Sequence, residues 1–102
     1  MKIHFERSGG FTGIRLATTV DSQEISPEEA QMLRADLEKA SFFDLPAHIQ
    51  GQAKGADRFH YRVRVQEGER EHEVEIDEGA APENLQPLLQ NLSNLARRSR
   101  RP

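Results

Sequence analysis

The chain has no cysteine, which removes disulfide frameworks, thiolate nucleophiles and every cysteine-based zinc site. It has no apolar run near the ~18 residues of a membrane span, and its N-terminus lacks the apolar stretch of a secretory signal. No glycine run precedes a helical pattern as a phosphate-binding loop requires. No serine or threonine has an evident His and Asp partner for nucleophilic catalysis. Ile, Leu, Val and Phe number 23 of 102 residues, just above the level at which a chain stays disordered. Charged residues make up 30%, so the core is small and a shielded catalytic cavity would compete for the same few apolar side chains. These absences predict a soluble, cytoplasmic protein that is not an enzyme and carries no cofactor.

What is present fits one domain. The net charge of −3 is unevenly spread, because Arg97, Arg98, Arg100 and Arg101 put +4 into the last six residues and leave −7 on the rest. Such an acidic body repels phosphate backbones, and no aromatic platform accompanies the basic end. No nucleic acid and no membrane is therefore expected as a partner. The reading places one domain over 1–96 and a disordered basic tail over 97–102.

Hydrophobic periodicity gives the order strand, strand, helix, strand, strand, helix. Ile3 and Phe5 alternate with Lys2, His4 and Glu6; Ile14, Leu16, Thr18 and Val20 alternate with Arg15, Ala17 and Thr19. The glycine-rich run from Ser8 to Gly13 between them predicts a hairpin. Ser26-Pro27-Glu28-Glu29 is a helix start with a capping box, a proline at the first helical position and acidic residues at the positive end of the dipole. Ala30, Leu33, Leu37 and Ala40 follow as its buried stripe, with Arg34, Asp36 and Glu38 outside it, and the helix ends near Ser41. Residues 44–57 read as a loop.

Phe59, Tyr61, Val63 and Val65 then alternate with Arg58, His60, Arg62 and Arg64. A tight turn at Glu67-Gly68 would pair residues whose numbers sum to 135, setting Arg64 opposite Glu71, Arg62 opposite Glu73, His60 opposite Glu75 and Arg58 opposite Asp77. One face becomes a charge ladder and the other the core. Leu85, Leu88, Leu89, Leu92 and Leu95 form the stripe of the last helix, with Pro87 in its first turn. The expected architecture is α+β: a two-layer ββαββα domain with two helices on one face of a four-stranded sheet.

The four histidines do not form a metal site in this arrangement. The register sends His60 and His72 to opposite faces, His4 points outward, and His48 lies in a loop. The glutamates at 71, 73 and 75 are taken up by the ladder. If each element reverses the one before it, the loops 8–13, 41–57 and 77–83 share one end of the domain. That end gathers Phe11, Leu45-Pro46, Asp44, Asp57 and Asp77. Phe11 on a glycine-rich tip is either a binding anchor or a side chain folded over the sheet edge, and the residues alone leave both open.

Ser8-Gly9-Gly10-Phe11-Thr12-Gly13-Ile14, Phe42-Phe43-Asp44-Leu45-Pro46, Asp57-Arg58-Phe59-His60-Tyr61 and Asp77-Glu78-Gly79-Ala80-Ala81-Pro82 occur in this order. As an ordered set, from Lys2 to about Ala96, they resemble the emfourin family, whose prototype inhibits protealysin-like metallopeptidases of the thermolysin group. The resemblance implies a bacterial, non-catalytic inhibitor, monomeric when free, with a thermolysin-like metallopeptidase as its partner. It also implies two neighbouring loops, one sending an aspartate to the peptidase's zinc and the other placing apolar residues in its substrate sites. Carried onto this sequence, the partner-binding set is Gly9, Gly10, Phe11, Asp44, Leu45, Pro46 and Asp57, and Phe11 is the apolar anchor. The zinc-directed aspartate falls to Asp44, then Asp57, with Asp77 third because the register gives it Arg58. The alternative is a non-inhibitory interaction module that uses the same loops.

Overall fold

A computed structural model describes residues 1–9, 15–50 and 59–99. Its strands are β1 (Lys2–Gly9), β2 (Leu16–Asp21), β3 (His48–Ile49), β4 (Phe59–Glu67) and β5 (Arg70–Asp77). The helices are α1 (Pro27–Ala40) and α2 (Gln86–Ser99), with 3₁₀ turns at Phe42–Asp44, Glu78–Ala80 and Glu83–Leu85. The strands form one sheet in the order β2-β1-β4-β5-β3. Every pairing is antiparallel except β3 with β5.

The α+β expectation therefore holds, but the sheet is five-stranded and mixed, not four-stranded. The extra strand lies in the stretch read as a loop. After the Phe42–Asp44 turn the chain runs alongside β5, with the Ala47 carbonyl accepting from the Glu75 N–H at 2.8 Å. His48 then pairs with Glu75 and Ile49 with Ile76. Two residues are too few to show a period of two, so alternation could not reveal this strand.

α1 begins as its sequence dictates. The Ser26 hydroxyl accepts the Glu29 N–H at 3.2 Å and donates to the Glu29 carboxylate, also at 3.2 Å, and Pro27 opens the first turn. The helix stops at Ser41, which adopts φ 48 and donates its N–H to Glu38. Pro87 sits in the first turn of α2, where its missing N–H costs nothing.

One core joins the sheet to both helices. Ile3, Phe5, Leu16, Val20, Val63, Val65, Val74 and Ile76 meet Leu33, Leu37, Ala40, Leu85, Leu88, Leu92 and Ala96, all buried. Asp36 corrects the expected stripe: it is only 6% exposed. Its carboxylate accepts from Asn91 of α2 at 2.6 Å, so a polar link ties the two helices. Of the basic end, residues 100–102 lie outside the described residues. α2 extends to Ser99, so Arg97 and Arg98 are helical, and Arg98 pairs with Glu29 at the start of α1.

The β4–β5 hairpin forms with a shifted register. The two-residue loop is Gly68-Glu69, with Glu67 opposite Arg70, and Gly68 takes φ +60. That is the first central position, where a type II′ turn requires a positive φ. Moving the turn by one residue displaces each partner by two, to His60 opposite Asp77, Arg62 opposite Glu75 and Arg64 opposite Glu73. A two-residue displacement keeps every side chain on its expected face. The ladder survives through side-chain reach: Arg62 meets Glu75 at 2.9 Å, and Arg64 reaches diagonally to Glu71 at 2.8 Å.

Candidate functional site

The strand directions divide the domain into two poles. At one, β1 ends in Gly9, β4 begins at Phe59 and these two residues are cross-strand partners. Beside them, β5 ends at Asp77 opposite His60, and β3 ends at Ile49 opposite Ile76. At the other pole lie Met1 and the Gly68-Glu69 turn. β4 connects the poles with nine residues, about 27 Å at the usual antiparallel rise.

The first pole is built on aromatic and charged side chains. The Arg7 guanidinium stacks over the Phe59 ring, 4.3 Å from its centroid. Phe59 in turn lies against Tyr61, with ring centroids 6.5 Å apart. His60 donates from Nδ1 to the Asp77 carboxylate at 3.0 Å, and His48 donates from Nδ1 to Glu75 at 2.9 Å. Glu75 also receives Arg62, whose hydrogen bond, together with the charges of Arg62 and His48, holds its carboxyl below the usual glutamate value. Among the described residues no three His, Asp or Glu side chains form a group able to hold a metal.

The expected gathering of loops at this pole is only partly realised. Asp44 lines a cavity of about 310 Å³ together with Met1, Arg34, Phe43, Glu67 and Arg70, at the far pole. The Arg70 guanidinium lies 4.1 Å from the centroid of the Phe43 ring, which fixes that end of the segment. The assumption that each element simply reverses its predecessor fails here, because the chain leaving α1 stays at the far pole and then climbs parallel to β5. Leu45 and Pro46 lie on that climb. The Leu45 carbonyl accepts from His72 Nε2 at 2.7 Å, and His72 packs edge-on against the buried Phe42. Asp44 is therefore separated from Gly9, and Leu45 and Pro46 lie between the poles. Asp77 reaches the first pole but is engaged by His60. Gly10, Phe11 and Asp57 lie outside the described residues.

Sequence reasoning passed over Arg7 and Phe59 at this pole. Arg7 carried a usable signal, since it continues the odd-numbered inward series of Ile3 and Phe5.

The fold and this pole define a small two-layer α+β module with a paired-strand end, and no cleft at that end is lined by a catalytic constellation among the described residues. The profile of the emfourin family matches residues 5–93, and the chain belongs to that family. The family is one of metallopeptidase inhibitors, not of enzymes. No curated protein and no solved structure matches the chain.

Proposed function

We propose that this protein inhibits thermolysin-like zinc metallopeptidases with the two segments that leave the Gly9/Phe59 pole, residues 10–14 and 51–58. The observation that supports this reading is the pairing of Gly9 with Phe59: the strand ends bounding the two segments are direct neighbours. The anchors are Phe11, two residues after Gly9 in the sequence, and Asp57, two residues before Phe59. Gly9 itself has φ 92, a conformation that favours glycine. Asp44 is given no part in the proposed contact, because it lines the far-pole cavity with Met1, Glu67 and Arg70, about 27 Å along β4 from the Gly9/Phe59 pair; Leu45 and Pro46, on the climb between the poles, are assigned no role.

The chemistry follows from the target's zinc. A thermolysin-type site holds its metal with three protein ligands and leaves one position to water. The Asp57 carboxylate takes that position at roughly 2.0–2.2 Å, and Phe11 fills a pocket shaped for a substrate side chain. Cleavage is avoided because no peptide bond lies across the metal in the reacting orientation.

The test is titration of a thermolysin-like peptidase with the full chain and its variants. Wild type should inhibit stoichiometrically. Asp57→Ala and Phe11→Ala should each weaken inhibition roughly tenfold or more, while Asp44→Ala leaves it unchanged. Loss of inhibition in Asp44→Ala with none in the other two would reject the site. Failure of the wild type to inhibit would leave a binding module with another partner.

A further inference from the structure

Eight arginines lie within the described residues, and six of them face a carboxylate: Arg15 with Glu6, Arg34 and Arg70 with Glu67, Arg62 with Glu75, Arg64 with Glu71, and Arg98 with Glu29. The two without an ion pair, Arg7 and Arg97, line the same cavity of about 290 Å³. Tyr61, Gln86, Gln90 and Ser93 complete its polar wall, and among the described residues no aspartate or glutamate contributes to it. In a chain of net charge −3, this is a local pocket of uncompensated positive charge.

The folding logic explains how two arginines meet there. Arg7 occupies an inward position of β1, opposite the buried Leu16 on one side and Tyr61 on the other. Its Nε is buried and has no hydrogen-bond partner, although such donors are seldom left without an acceptor. From α2, residues 86, 90, 93 and 97 recur at spacings of four, three and four, one polar stripe beside the leucine stripe. Ser93 spends its hydroxyl proton on the Leu89 carbonyl at 2.8 Å, which leaves the guanidinium and amide groups as donors to a ligand. Arg97 has only a long hydrogen bond to Asn94 at 3.4 Å.

We propose that this cavity between β1 and α2 binds a small oxyanion, carboxylate or phosphate, clamped by Arg7 and Arg97. A guanidinium presents planar donors matched to two oxygens of one acceptor group. The cavity lies at the small end of ligand-pocket sizes, which suits inorganic phosphate or a short polycarboxylate. The proposal stands independently of the inhibitory reading, since it uses neither Phe11 nor Asp57.

The experiment is an NMR amide-shift titration of the full chain, run separately with sodium phosphate and with sodium citrate, and with sodium chloride at matched ionic strength. Saturable shifts centred on Arg7, Gln86, Gln90 and Arg97 are expected with phosphate or citrate, and the better of the two identifies the ligand class. The thermal midpoint should rise by roughly 5 °C or more at ten times Kd. Arg97→Gln, an exposed helical position that will not endanger folding, should weaken binding at least about fivefold, and adding Arg7→Gln should abolish it. Equal shifts with chloride, shifts scattered over the surface, or unaltered affinity in Arg97→Gln would each overturn the proposal.

Discussion

Asp36 and Arg7 are polar side chains standing at positions whose spacing belongs to the core. Asp36 completes the series 33, 36, 37 and 40 along α1, and Arg7 completes 3, 5 and 7 along β1. In both cases position outranks polarity: the backbone geometry aims the side chain inward and a local partner, Asn91 or the Phe59 ring, receives it. Reading charge as a sign of exposure misplaced Asp36, and the periodicity by itself would have placed it correctly. Its hydrogen bond should be worth having, since a buried polar group stripped of its partner carries a desolvation penalty. Asp36→Ala is expected to lower stability by about 1–3 kcal/mol in urea denaturation. Combining it with Asn91→Ala should cost less than the two single changes added together, because neither partner is then left unsatisfied.

At the scale of elements, α1, α2 and the four long strands were legible because each carries several turns or several alternations of one period. The β4–β5 register was legible only to within two residues. Charge complementarity favours either alignment, because long arginine side chains reach a glutamate directly or diagonally, and the deciding feature is the backbone of Gly68. Its positive φ selects the turn Gly68-Glu69 over Glu67-Gly68. An added Cβ at Gly68 meets nothing within 4 Å, so Gly68→Ala isolates the conformational term. It should cost roughly 1–3 kcal/mol, measured by chemical denaturation, and should leave the core amide shifts in place. A loss near zero would mean that the turn tolerates another geometry.

For the molecule as a whole, the two-layer α+β arrangement was legible in the sequence, but the placing of Asp44 was not, since it lies at the far pole. That error came from a connection that runs parallel to its neighbouring strand, a topology for which local pattern gives no sign. The charge distribution is a second molecule-wide property. Glu75, Glu71 and Glu29 hold their charge to lower pH than an ordinary glutamate at 4.5, chiefly through hydrogen bonds from Arg62, from Gln66 and Arg64, and from Arg98. For Glu67 partial burial pushes the other way, and the bonds from Arg70 and Arg34 outweigh it. Between the folded and unfolded values the unfolded chain binds more protons, so acid favours unfolding. The contribution of these four groups should be complete above about pH 5 and decline as pH falls through and below 4.5. A thermal midpoint that stays level from pH 5 to pH 3 would contradict it.

The brief parallel strand β3 has one more effect. Without it, every second residue of β5 would turn an unsatisfied backbone N–H and C=O to the outer side, a template on which another molecule's strand could register. The Ala47 carbonyl and the two residues of β3 cover its last part, at Glu75 and Ile76, and β3 itself is too short to serve as a new template. The climb of chain that follows Asp44 thus also shields part of this flank from edge-to-edge pairing.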